Sequence, residues 1–90
     1  MIRASIFVYG KVQGVFFRAG AKEKADSLGV KGWAMNRDDG SVEILAEGEE
    51  KQIDELIKWC NRGSTLAQVD NVKSEKEPVE EASFEEFFIK

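Results

Sequence analysis

Polar and apolar residues alternate along the first nine positions of the chain. Four apolar residues occupy every second position: Ile2, Ala4, Ile6 and Val8. The residues between them are polar or aromatic: Arg3, Ser5, Phe7 and Tyr9. Successive side chains of a strand point to opposite faces of a sheet, so this pattern predicts a strand over residues 2–9 with one buried face.

Two later segments have the spacing of amphipathic helices. In residues 17–28 the apolar positions recur every three or four residues: Phe17, Ala21, Ala25 and Leu28. In residues 49–62 the same spacing recurs: Ile53, Leu56, Ile57 and Cys60. Each segment therefore has a single apolar stripe, which predicts a helix packed on a core by one side. Gly29 and Gly63 stand where C-terminal caps belong.

Four more segments are predicted strands: residues 30–36, 42–47, 66–76 and 84–89. The turn signal Asn36-Arg37-Asp38-Asp39-Gly40 joins the first two of them into a hairpin. In the third, Val69 and Val72 are three residues apart, which breaks the alternation and predicts a bulge. Pro78 is expected to interrupt this strand, with an acidic, mobile loop around residues 75–82.

The order of elements is β-α-β-β-α-β followed by a short C-terminal strand. Two strand–helix–strand crossovers around a central hairpin predict an α+β, ferredoxin-like split βαβ fold. We expect a two-layer sandwich, with an antiparallel sheet and both helices on one face. Ninety residues make one such domain, over positions 1–90.

Composition narrows the possible functions. The formal net charge of −4 disfavours general binding to nucleic acid or to anionic membranes. Histidine is absent and there is one cysteine, which removes the commonest metal ligand and any intramolecular disulfide. No apolar stretch has the length of a signal peptide or a membrane span. We expect a cytoplasmic monomer with no metal, cofactor, nucleic-acid partner or membrane partner.

The segment between the first strand and the first helix has the composition of an anion site. It reads Gly10-Lys11-Val12-Gln13-Gly14-Val15-Phe16-Phe17-Arg18. A glycine-marked loop at a helix N-terminus presents free backbone N–H groups, and the helix dipole and a guanidinium add positive potential. A phosphoryl group would suit such a site. A tight turn beside a solvated arginine has the same composition, so the residues alone leave both interpretations open.

Two motifs carry a resemblance to a known family. The run from Val12 to Arg18 resembles the V-Q-G-V-x-F-R signature of the acylphosphatase family, and Gly32-Trp33-Ala34-Met35-Asn36 resembles its second signature, G-W-V-x-N. The resemblance continues through residues 39–48 and covers essentially the whole chain. The chain departs from it at Phe16, where many members have glycine, and at Ala34, where valine is usual.

The resemblance implies a function and a set of site residues. The function is hydrolysis of small acyl phosphates to a carboxylate and inorganic phosphate, without a metal. Arg18 and Asn36 would be catalytic. The phosphoryl group would be bound by Arg18 and the loop amides of residues 13–18: Gln13, Gly14, Val15, Phe16, Phe17 and Arg18. Such a site recognises the tetrahedral anion, so we expect the acyl part to matter little.

Asn36 would orient the attacking water, because a carboxamide accepts and donates hydrogen bonds but is too weak a base to deprotonate water. Without the resemblance, the same asparagine is interpreted more readily as a turn residue before Asp38-Asp39-Gly40.

Two alternative functions follow from the same elements. Acylphosphatase-like domains also occur inside larger proteins that process carbamoyl phosphate. Ferredoxin-like RNA-binding modules, a different class, carry aromatic and basic residues on the open face of the sheet. Phe7 and Tyr9 would suit that second class, but the acidic balance of the chain opposes it.

Overall fold

The computed structural model describes all 90 residues as a five-stranded sheet and two helices. The strands are β1 (Ile2–Lys11), β2 (Lys31–Asn36), β3 (Val42–Gly48), β4 (Gln68–Pro78) and β5 (Phe87–Ile89). The helices are α1 (Phe17–Leu28) and α2 (Glu50–Arg62). Neither helix is long and apolar enough to cross a membrane.

The strand order is β4-β1-β3-β2-β5. The pairs within β4-β1-β3-β2 are all antiparallel, and β5 joins the edge of the sheet parallel to β2. The predicted ferredoxin-like fold is therefore confirmed. The complete sheet is mixed, because the C-terminal strand runs in the same direction as the neighbour it pairs with.

The buried face of the sheet is made by the alternation seen in the sequence. Three directly opposed pairs of β1 and β3 are fully buried: Ala4 with Ala46, Ile6 with Ile44, and Val8 with Val42. The two helices cover this face with one stripe each, made by Phe17, Ala21 and Ala25 of α1 and by Ile53, Leu56 and Cys60 of α2. Burial raises the pKa of the Cys60 thiol to about 12.

Both ends of α1 lie where the sequence predicts them. Gly29 adopts the left-handed conformation, with φ 72°, and its N–H group donates to the carbonyl oxygens of Ala25 and Asp26. These bonds satisfy carbonyl groups that a helix C-terminus leaves without partners. At the other end the helix begins directly after Phe16, which is also left-handed, with φ 63° and ψ 26°.

Strands β4 and β5 differ from the prediction in their bounds. β4 begins at Gln68 and continues to Pro78, so residues 75–78 are strand, not loop. Proline is tolerated there because β4 is an edge strand and Pro78 is its last residue. The predicted bulge is present, since Tyr9 pairs with Asn71 while Gly10 pairs with Val69. β5 has three residues instead of six, because only Phe87–Ile89 reach β2.

A buried ion pair closes the end of the sheet where β1 begins. The Glu47 side chain is 1% exposed and accepts hydrogen bonds from Arg3 Nε at 2.8 Å and from the Ser83 N–H at 2.7 Å. Arg3 Nη2 also donates to the Ser83 hydroxyl at 2.7 Å. These bonds tie the β4–β5 connection to the sheet. The sequence pattern does not predict these bonds. The polar–apolar alternation of β3 places Glu47 on the open face of the sheet, where a side chain is expected to be exposed.

Candidate active site

Three chain segments meet at the other end of the sheet. β1 and β2 end there, and β4 begins there, because Lys11 pairs with Gln68 and Asn36 pairs with Val42 at the start of β3. The loop between β1 and α1, residues 12–16, lies at this edge and is called the β1–α1 loop below. The topology therefore brings together the two sequence motifs, which are separated by all of α1.

Side chains hold the β1–α1 loop in place from both sides. On the β2–β3 side, Gln13 Nε2 donates to the carbonyl oxygens of Arg37 at 2.7 Å and of Ser41 at 2.9 Å. On the α2–β4 side, the Ser64 hydroxyl donates to the Val15 carbonyl at 2.6 Å. The Val15 side chain itself is buried. The loop is thus fixed by protein contacts alone, which is the preorganisation that electrostatic catalysis requires.

The backbone N–H groups of the loop have no acceptor in the protein. None of the four from Gln13 to Phe16 donates a hydrogen bond to another part of the chain. The N–H groups of Phe17 and Arg18 belong to the first turn of α1, where a helix supplies no acceptors. Gly14 has φ 74°, a value that strains other residues, although a side chain there would meet open space. Six consecutive donors are left for a ligand.

Four of the six residues that carry these donors, Gly14, Phe16, Phe17 and Arg18, border a cavity of about 280 Å³. Its eight lining residues come from the loop, α1 and the ends of β2 and β5: Val12, Gly14, Phe16, Phe17, Arg18, Ala19, Asn36 and Ile89. Five of the predicted site residues are therefore brought together. Gln13 and Val15 do not line the cavity, because the Gln13 side chain and the Val15 carbonyl are engaged in holding the loop.

Ala19 and Ile89 line the cavity without having been predicted as site residues. Ala19 follows Arg18 on α1, so its place next to the loop could have been inferred. Ile89 reaches the site only because β5 pairs with β2, where it lies opposite Ala34. Nothing in the sequence indicates that pairing.

Arg18 is the one ionisable side chain of the cavity wall. Its Nη1 donates to the main-chain oxygen of Lys90 at 3.1 Å, and no Asp or Glu side chain pairs with it. One bond thus positions the guanidinium, while its other N–H groups remain available. A planar group with parallel donors can bind two oxygens of a phosphoryl group at once.

Asn36 is the last residue of β2, and its side chain is exposed. Its carboxamide makes no hydrogen bond with the protein, so its donor and acceptor are both available to a ligand or a water. The structure also supports the interpretation that the acidic residues after Asn36 belong to a turn. The Asp39 carboxylate accepts hydrogen bonds from the Ser41 hydroxyl and N–H. These bonds hold the pKa of Asp39 below its usual value.

The cavity wall contains no acid–base pair. No Asp, Glu, Lys or Tyr lines it. No three His, Cys, Asp or Glu side chains in the structure lie close enough together to hold a metal ion. An arginine, a set of backbone donors and a carboxamide are groups that can bind an anion and orient a water.

The open face of the sheet carries the aromatic residues that an RNA-binding function would use. Each ring has a cation over it: Arg37 lies 5.4 Å from the centroid of Phe7, Lys73 lies 5.7 Å from Tyr9, and Lys90 lies 4.5 Å from Trp33. A nucleobase that stacked on these rings would have to displace those side chains. Stacking on this face would therefore compete with the three cation–aromatic contacts.

Comparison with known proteins identifies the family of the chain. The family model for acylphosphatase matches residues 4–89. A protein of Rubrobacter xylanophilus named acylphosphatase is 49% identical over 76 residues, which are 84% of this chain and 69% of that protein. The crystal structure of acylphosphatase from Bacillus subtilis superposes with a TM-score of 0.94, at 37% identity, and covers 99% of this chain and 98% of that one.

A longer protein contains a similar domain. The crystal structure of full-length HypF, in a phosphate- and nucleotide-bound form, matches with a TM-score of 0.83 at 31% identity. The match covers 99% of this chain but only 12% of HypF. Because the family model spans nearly every residue from β1 to β5 and the relatives of this length share its name, the chain belongs to the acylphosphatase family.

Proposed function

We propose that the protein hydrolyses small acyl phosphates to a carboxylate and inorganic phosphate. The observation that carries the proposal is the arrangement around the cavity. Backbone N–H groups without a protein acceptor, the Arg18 guanidinium and the unbonded Asn36 carboxamide lie around a space lined by no other ionisable group. Few phosphoryl transfers can proceed with so few groups. Transfer of the phosphoryl group from an acyl phosphate to water is one of them.

The phosphoryl group binds to Arg18 and the N–H groups of residues 13–18. Charge in the transition state of phosphoryl transfer is spread over three equatorial oxygens, which these donors surround. The N-terminus of α1 adds a favourable partial positive charge. Because the loop is fixed in advance by Gln13 and Ser64, little reorganisation is needed during the reaction.

Asn36 places a water in line with the bond that breaks. The water oxygen attacks phosphorus, the bond from phosphorus to the acyl oxygen breaks, and the carboxylate leaves with the electron pair. The proton of the water passes to the phosphate product. A carboxylate is a good leaving group that needs no general acid, so the absence of an acid or base from the cavity wall is compatible with catalysis.

The test is hydrolysis of benzoyl phosphate by the purified protein, with and without EDTA. We expect turnover that is unaffected by the chelator and is inhibited competitively by inorganic phosphate. An inactive folded protein, or inhibition by phosphate that is purely non-competitive, would contradict the proposal. Loss of activity in EDTA would contradict its metal-free form.

A second candidate function is supported by the HypF comparison alone. The chain resembles a domain that forms a small part of that longer protein, and the sequence interpretation already raised processing of carbamoyl phosphate. Carbamoyl phosphate is itself an acyl phosphate, so the same site would act on it. Comparing kcat/KM for carbamoyl phosphate and acetyl phosphate distinguishes the two functions.

A further inference from the structure

A second depression lies directly beside the phosphoryl cavity. It is a groove of about 640 Å³ between α1 and the segment that joins α2 to β4. Six of its twelve lining residues are apolar, among them Phe16, Ala19, Trp59 and Leu66, and Glu23 and Arg62 also lie in the wall. Phe16 and Ala19 line both the groove and the cavity, so the two spaces are continuous at these residues.

The groove contains the two most exposed large apolar side chains of the chain. Phe16 is 75% exposed and Leu66 is 63% exposed. Phe16 is also the one non-glycine residue with positive φ, a conformation that costs about 1 kcal/mol or more. Neither side chain stabilises the fold by burial, since both leave most of their apolar surface in water. A ligand that covers them would remove that surface from water.

The direction of the reaction points to the same groove. In an in-line displacement the water and the leaving group lie on opposite sides of phosphorus. Asn36, which orients the water, is on β2, whereas Leu66 lies just before β4, and β3 and β1 lie between those strands. With the phosphoryl group in the β1–α1 loop, the acyl group therefore departs away from β2 and toward the groove.

We propose that the groove is the acyl subsite of the enzyme and that it favours apolar acyl groups the size of an aromatic ring. This inference rests on the proposed function, and it revises the expectation that the acyl part matters little. Phe16 contributes its backbone to the phosphoryl site and its ring to the acyl subsite. Leu66 contacts only the acyl group, so it separates the two roles.

The experiment compares two substrates and two substitutions at Leu66. Leu66→Gln keeps the approximate shape and removes the apolar character, and Leu66→Met is the matched control that keeps both. KM and kcat are measured with benzoyl phosphate and with acetyl phosphate, together with the Ki of inorganic phosphate. Dissociation constants for benzylphosphonate and methylphosphonate, measured by calorimetry, give a readout that needs no turnover.

We expect Leu66→Gln to raise the KM for benzoyl phosphate and the Kd of benzylphosphonate about fivefold, from the loss of roughly 40 Å² of apolar contact. The constants for acetyl phosphate, methylphosphonate and phosphate should stay unchanged, and Leu66→Met should resemble the wild type. Equal effects on both substrates, or no effect on either, would overturn the subsite while leaving the proposed function intact. A wild-type protein that hydrolyses neither substrate would overturn both.

Discussion

The two ends of the sheet use polar groups in opposite ways. Where β1 begins, Arg3, Glu47 and Ser83 satisfy one another, and the carboxylate is buried. Where β1 ends, six N–H groups and most of the Arg18 guanidinium have no protein acceptor. Folding alone favours the first arrangement, because unpaired polar groups gain nothing from the native state. The contrast agrees with the proposal that the first end stabilises the molecule and the second binds the phosphoryl group.

The largest expected effect on activity is at the end of the sheet where the N–H groups have no protein acceptor. Arg18→Ala should lower kcat/KM for benzoyl phosphate about 10³-fold, since it removes a charged donor to the transition state, and should shift the melting temperature little. Lys22→Ala is the matched control, because Lys22 is also a cation of α1 that donates to a main-chain oxygen, that of Phe87. Steady-state assays and circular dichroism on both variants measure the difference. A folded Arg18→Ala variant with wild-type turnover would remove Arg18 from the site.

Asn36→Ala should lower kcat roughly 10²–10³-fold while the Ki of phosphate stays within about twofold of the wild type. In the proposed mechanism the carboxamide acts on the water and makes no contact that ground-state phosphate binding requires. Asn61→Ala, on the surface of α2, is the control. Phosphate inhibition and turnover are measured on the same preparations. Equal losses of turnover and phosphate affinity would mean that Asn36 binds the anion instead.

At the satisfied end, Arg3→Ala should leave kcat/KM of the folded protein unchanged and lower the free energy of unfolding by about 2 kcal/mol. Breaking a buried ion pair leaves the Glu47 carboxylate without its charge partner, and the 29% exposure of Arg3 moderates the loss. Urea denaturation measures it, with Lys31→Ala as a control on an exposed cation of β2. A loss of activity without a loss of stability would mean that Arg3 serves function instead of stability, contrary to the comparison of the two ends.

Gln13→Ala tests a residue whose side chain is satisfied but lies at the functional end. Losing two hydrogen bonds to the β2–β3 turn should cost about 1 kcal/mol of stability and lower kcat/KM about tenfold, because the loop donors become less well ordered. Gln68→Ala, on an exposed glutamine of β4, is the control. A fall in stability with no fall in kcat/KM would show that the loop needs no such anchor.

The smallest effect is a pH dependence at the satisfied end. Burial acts to raise the pKa of Glu47, but hydrogen bonds from Ser83 and Arg3 outweigh it and hold the pKa below its ordinary value of 4.5. The unfolded state then binds the proton more readily, so this contribution to stability is complete above pH 4.5 and is lost as the pH falls through the native pKa. Glu47→Gln should flatten the unfolding free energy below pH 4.5, whereas Glu81→Gln should not.

Patterns within single elements predicted most of the fold. The stripe from Phe17 to Leu28 and the cap at Gly29 gave the bounds of α1 as observed. The three-residue spacing of Val69 and Val72 gave the bulge in β4. Such features depend on neighbours in sequence, where periodicity and turn chemistry act directly.

What the sequence could not predict depends on contacts between distant segments. Glu47 occupies a polar position of an alternating strand, so its burial becomes evident only with Arg3 and Ser83 beside it. Ile89 lines the cavity through a parallel pairing that no local pattern encodes. The roles of Arg18 and Asn36 came from the resemblance. The structure adds that they line one cavity.

The buried Cys60 thiol can be used to measure how often the native structure opens. It is the sole thiol of the chain, is inaccessible to solvent, and has a pKa of about 12, so a thiol reagent at neutral pH can modify it only after an opening motion exposes it. When closing is faster than modification, the labelling rate equals the opening equilibrium constant times the rate for an exposed thiol. Every variant above can thus be compared without denaturant, by mass spectrometry of a single modified site.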